Sequence, residues 1–173
     1  ELSKSSLFHH FPSKAALYCS VLDRVLQRLS ARLAPHLERA APASARLETV
    51  LDALLDVLAE QATTSRLLLR ALFEDDDLPE DGIPEADSMN ATLTGILAGM
   101  RALIEAGVAE GSFRPVSPEH TLQSLIGVTI YHFASGDFGA ELLGRPIFSA
   151  EAVQARREEV KAFVRHGLLT RDP

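Results

Sequence analysis

Several side-chain groupings in this chain could do chemistry, and each can be tested against the spacing its chemistry requires. The acidic stretch from Glu74 to Asp87 suggests a calcium loop. Counted from Asp77, Asp81 and Gly82 suit the fifth and sixth positions, but Pro79 and Ser88 stand where an oxygen ligand and a bidentate glutamate are needed. A solvated loop is the better reading. His9 and His10 are adjacent and would point about 100° apart on a helix. His36, His120, His132 and His166 fall on different predicted elements, so no metal site is expected. No phosphate-binding loop, zinc-protease motif or nucleophile elbow occurs, so no catalytic residues and no cofactor are expected. Tyr131 and His132 sit among apolar neighbours in a predicted helix. They fit either polar anchors in a pocket or hydrogen-bonded core or interface groups.

The elements that must position these groups read as helices. Ser13 is a helix cap, and Leu17, Leu22, Val25, Leu29 and Leu33 make an apolar stripe over a long helix ending near Pro35. A second helix follows Pro42, with a break expected at Thr63-Thr64-Ser65 and a short piece from Leu67 to Phe73. After the acidic loop, a long helix is predicted to stop at Gly107. Ser117-Pro118-Glu119 opens another, expected to end by Gly136, and Ser149 opens the last. No strand pattern competes, so the fold class is all-α. Composition agrees: 46% hydrophobic, 24% charged and no Trp describe a globular, Leu- and Ala-rich chain. A lone cysteine, Cys19, excludes an internal disulfide. No apolar run long enough for a membrane span is read, so the expectation is a soluble, cytoplasmic protein with no membrane partner. Charge is uneven. Residues 1–46 hold seven Lys/Arg against three Asp/Glu, and residues 47–173 hold ten against twenty-one. A basic end on an acidic body suits contact with a polyanion.

The segment Leu2-Ser3-Lys4-Ser5-Ser6-Leu7-Phe8-His9-His10-Phe11-Pro12-Ser13-Lys14-Ala15-Ala16-Leu17 closely resembles the signature of the TetR family of bacterial repressors. Ile104-Glu105-Ala106-Gly107 with Gly111-Ser112-Phe113-Arg114-Pro115, and the closing Phe163-Val164-Arg165-His166-Gly167-Leu168-Leu169, resemble family habits more loosely. The resemblance implies that residues 1–36 carry the recognition helix and connecting helix of a helix-turn-helix domain. Its upstream helices are expected to be missing from this chain, because Leu7, Phe8 and Phe11 lack an apolar partner. Residues 37–173 would form a helical effector-binding and dimerisation domain.

Physical reading of the segment agrees with a reader of DNA. Ser3 can cap a helix whose first turn carries Lys4, Ser5 and Ser6, where a helix in the major groove meets base edges. His9 and His10 suit phosphate contact, and Lys14 beside the amides after Ser13 suits another. Phe8 stands where the family usually has Tyr, so a contact from that hydroxyl is lost. The implied function is a ligand-responsive repressor that binds double-stranded operator DNA as a homodimer. The alternative is a helical protein–protein interaction module that kept the fold without DNA binding. A small, mostly apolar effector is expected among helices 45–61, 66–74, 88–106 and 118–135. Its lining would be Leu54, Leu58, Leu69, Phe73, Leu97, Met100, Ile104 and Thr129, with Tyr131 and His132 as hydrogen-bonding groups. Ile126, Gly127, Val160, Phe163 and Val164, on helices 118–135 and 150–168, are the expected dimer interface.

Overall fold

A computed structural model describes residues 11–73 and 84–170. The DNA-contact expectations at Ser3, Lys4, Ser5, Ser6, Phe8, His9 and His10 lie outside the described residues. Seven helices occupy the described residues: α1 (Lys14–Leu37), α2 (Ala43–Glu60), α3 (Ala62–Phe73), α4 (Pro84–Ala109), α5 (Pro118–Ala134), α6 (Gly136–Leu143) and α7 (Ala150–Leu168). Among these residues the sole β-type pairing is an isolated bridge between Phe113 and Leu169. The fold is all-α.

Local chemistry sets the helix ends. Ser13, in an extended conformation, accepts from the Ala16 amide at 3.0 Å and starts α1. The helix runs two residues past Pro35, because a proline in the last turn forfeits only one ladder bond and Arg46 donates to the Leu37 carbonyl there. Pro42 has no side-chain acceptor to cap α2, and Glu110 supplies one from beyond α4, accepting from the Ala43 amide at 2.6 Å. The expected break at Thr63-Thr64-Ser65 falls instead at Gln61, which is extended. Those hydroxyl residues form the first turn of α3, where Ser65 donates back to the Leu58 carbonyl at 3.2 Å. Likewise Pro84 to Asp87 are helical rather than loop. Proline suits the first helical position, and Glu85 and Asp87 suit the positive end of the dipole.

Gly107 does not end α4. A Cβ at that position would overlap the Phe113 ring, so the glycine is a packing requirement, and the left-handed turn comes later at Gly111 (φ 79°). Ser117 and Ser149 cap α5 and α7 as the sequence predicts. The short α6 has no counterpart in the sequence reading.

The core forms where α1 lies along α4 and α2, and α5 closes over α3 and α4. Leu22, Leu26, Leu29 and Leu33 of α1 are buried there, each worth roughly 1.5–3 kcal/mol against exposure. By length and composition α4 could cross a membrane, its best window reaching a mean hydropathy of 1.3, contrary to the sequence expectation. It packs against α1, α2 and α5, and 28% of that window is buried. Two polar fastenings hold the helices in register. Asp23 on α1 accepts from Ser88 at 2.8 Å and Thr92 at 3.0 Å, both on α4. Along α2 and α7, Glu48 pairs with Arg165 at 2.6 Å, Asp52 with Lys161 at 2.6 Å and Arg157 at 2.9 Å, and Asp56 with Arg157.

Candidate effector cavity and a neighbouring cleft

An apolar cavity of about 60 Å³ lies at the junction of α1 to α5. Leu54, Leu97, Met100 and Thr129, four of the residues expected around an effector, line it. Leu58 and Ile104 are fully buried but belong to the surrounding core and not to the cavity wall. Leu69 and Phe73 are not in the wall either. Since α3 begins at Ala62, its inward positions are Leu68 and Ala71. Ile126, expected at an interface, lines the cavity. Sequence reasoning missed Leu26, Leu29 and Leu33, three residues of α1 that form one side of the wall. Their stripe was visible as a helix face, but nothing local says that it borders empty space.

Thr129 is the single polar lining residue. It is buried, and its hydroxyl donates to the Leu125 carbonyl at 2.7 Å. The cavity therefore offers shape and dispersion but no free hydrogen-bonding group, and such spaces stay dry and take apolar guests.

Tyr131 and His132 do not reach this cavity. Tyr131 is 55% exposed, because its place on α5 faces away from the core. His132 lines a separate cleft of about 200 Å³ with Leu143, Arg145, Ala152, Ala155, Arg156 and Glu159. Its Nε2 is buried with no hydrogen-bond partner. Burial, and next the charge of Arg156, push its pKa down to about 4, so the ring is neutral at pH 7. Arg156 donates to the Val128 carbonyl, while its buried Nε has no partner and burial lowers its pKa. The neighbouring arginine differs. Burial alone would lower the pKa of Arg157, but Asp52 and Asp56 outweigh that and raise it. Burial alone would raise Asp52, but bonds from Lys161 and Arg157 hold it below the usual range, and the Arg165 bond does the same for Glu48.

The expected interface residues divide. Val160 and Val164 are 2% and 5% exposed, so they are part of this chain's own core. Their side of α7 is turned inward, which corrects their assignment to a surface. Phe163 is 64% exposed, and Gly127 is exposed with open space where a Cβ would stand. Phe138 and Leu142 of α6 are further exposed apolar residues. At the other end, Lys14 is exposed at the first position of α1, directly after the Ser13 cap. Among the described residues no group of three His, Cys, Asp or Glu could hold a metal ion.

Comparison with known proteins follows this geometry. Over 142 residues the chain is 29% identical to the HTH-type transcriptional regulator RutR of Escherichia coli K12, which covers 82% of this chain and 62% of RutR. The chain thus spans less than two thirds of that relative's length. A TetR/AcrR-family transcriptional regulator from Thermobifida fusca shares the fold with a TM-score of 0.67 at 13% identity, over 96% of this chain and 80% of the other. A transcriptional regulator from Saccharomonospora viridis, solved in complex with choline, matches with a TM-score of 0.62 at 18% identity, over 98% and 82%. Residues 44–164 match the family described as tetracyclin repressor-like, C-terminal domain, and the chain therefore belongs to the TetR family.

Proposed function

We propose that the chain serves an effector-responsive transcriptional repressor that binds operator DNA as a homodimer in the cytoplasm. Residues 1–36 would read and connect, and residues 37–173 would sense and dimerise. The observation that carries this reading is the cavity wall. Leu26, Leu29 and Leu33 belong to α1, the helix that follows directly on the segment read as the recognition helix. A guest in the cavity therefore touches the element that holds the DNA reader, with no intermediary. A ligand shifts such an equilibrium only by its differential affinity for the two arrangements, here on the order of 1–3 kcal/mol.

The effector this cavity suits is small, neutral and apolar. Choline, the ligand of the Saccharomonospora viridis protein, is a cation. The lining here supplies neither a carboxylate nor an aromatic ring to receive one. At about 60 Å³ the space is smaller than the roughly 150 Å³ that accommodates benzene, so a larger guest requires α1 or α5 to move. That movement is the switch in this reading. The second copy would seat on the face carrying Phe163 and Gly127.

The test is binding of the protein encoded by the whole gene to DNA upstream of that gene. Affinity is expected to fall steeply with salt. Lys14→Ala should weaken binding to all sequences, whereas Lys4→Ala should also relax base preference. Absence of DNA binding at low salt would overturn the reading and leave the helical protein–protein interaction module.

A further inference from the structure

We propose that Arg156, Arg145 and His132 form a binding site for a small oxyanion of carboxylate or phosphate type, in the cleft between the end of α5 and the start of α7. The site is separate from the apolar cavity, and its test does not depend on DNA binding or on the effector.

Charge pairing along α7 isolates the feature. Arg157, Lys161 and Arg165 each meet a carboxylate of α2. Arg156 meets none, and its bond to the Val128 carbonyl is to a neutral group. A half-buried guanidinium without a counter-ion is costly, and an anion that reached it would remove that cost. Glu159 lines the same cleft and acts on Arg156 through space, but no ion pair forms between them. Arg145 stands exposed at the rim, also without an ion pair.

The two residues with unfilled bonding positions line one cleft. Nε of Arg156 and Nε2 of His132 are both buried and both lack partners. Buried polar groups normally have partners, so two orphans lining one cleft ask for a shared one. An oxyanion fits their chemistry. Guanidinium groups present a planar fork that matches carboxylate and phosphate oxygens, and a histidine beside a bound anion gains a proton and a charge-assisted bond. Ala152 and Ala155 keep the α7 side of the cleft shallow. The roughly 200 Å³ available exceeds what one water needs by about tenfold, which is room for a small anion. The chain carries a net charge of −7, so general attraction to anions does not account for such a site.

Proton NMR of the His132 ring tests the proposal, with the resonance assigned by His132→Gln. Titrations in inorganic phosphate, in formate and in chloride at equal ionic strength are each run at two protein concentrations. In chloride His132 should titrate near 4, and a saturating oxyanion should raise the midpoint by about one unit or more. At pH 7, Arg156→Gln should weaken phosphate binding about tenfold, and Arg156→Lys should weaken it less. The oxyanion could equally be a carboxylate on a second copy of the chain. In that case the raised midpoint appears without added oxyanion and is lost on dilution. A midpoint near 4 under every condition overturns the proposal. So does a raised midpoint that survives Arg156→Gln.

Discussion

On one side of α5, Thr129 reaches the apolar cavity with its hydroxyl already bonded to the Leu125 carbonyl. Three residues further on, His132 lines a different cleft with its buried Nε2 unpartnered, as does an arginine in the same condition. One helix thus borders two hollows of opposite character. In the first, a polar group is satisfied by its own backbone, so a guest would be selected by shape. In the second, polar groups are held without partners, and a guest is selected by charge. The contrast shows that the number of polar residues in a lining says less than where their hydrogen bonds go.

Truncation should break the symmetry between the two hollows most strongly. Leu51→Ala removes a fully buried wall residue of the apolar cavity and is expected to cost about 2–5 kcal/mol in urea unfolding. Leu143→Ala, at the exposed edge of the cleft, should stay within about 0.5 kcal/mol. The Leu51 variant should in addition gain thermal stability from benzene, since the enlarged space remains dry. Equal costs for the two variants would mean that the cleft is as tightly packed as the core.

Neighbouring arginines sharpen the comparison next. Arg157→Ala strips Asp52 and Asp56 of a partner, and for a partly buried bridge a loss of about 1–2 kcal/mol is expected. Arg156→Met keeps the apolar stem and removes an unpaired charge, so stability should hold or rise. Chemical denaturation of both variants in low-oxyanion buffer reads the difference directly.

Acid separates the two kinds of polar group. The folded state holds the His132 pKa near 4 against an ordinary value of 6.5, so between those values the unfolded chain binds the extra proton. Its contribution is complete above about pH 6.5 and is lost as the pH falls towards 4, by about 1 kcal/mol after solvent screening. Glu48 and Asp52 are lowered as well, but from the ordinary carboxylate values and by hydrogen bonds from basic side chains. Their contribution persists through that window and is lost only below the ordinary carboxylate range. Stability measured from pH 7 to 3 should therefore fall in two stages, and His132→Gln should erase the first alone.

How much of this was legible in the sequence depends on the range of the interaction. Ser13, Ser117 and Ser149 are caps whose partners lie three residues away, and each was readable. The segment from Leu2 to Leu17 was readable as a motif resembling the family signature. The α2–α7 ion-pair ladder, acids at 48, 52 and 56 against bases at 157, 161 and 165, was not read from the sequence. Its halves lie about a hundred residues apart, and spacing within one helix does not say which helix it faces. The same limit explains His132. Its place among apolar neighbours marked it as unusual, but the hollow it enters is made by α7, whose position no local pattern reports. The short α6 escaped because it begins at Gly136, the residue read as a helix end, and carries a second glycine at Gly139.

The smallest expected effect probes the cavity's one polar group. Thr129→Val removes the hydroxyl and keeps the branched shape, so the cavity wall changes little. The Leu125 carbonyl keeps its helical partner, because the threonine bond was an additional one. No buried group is orphaned, and stability should change by about 0.5 kcal/mol or less. A hydroxyl bonded to its own helix contributes little to recognition, so stabilisation by a small apolar probe should be equal in both proteins. If the variant instead lost stabilisation by a hydroxylated probe such as a short alcohol, Thr129 would be turning from its backbone partner to the guest. The cavity would then read hydrogen bonding as the cleft does, and the two faces of α5 would differ in degree and not in kind.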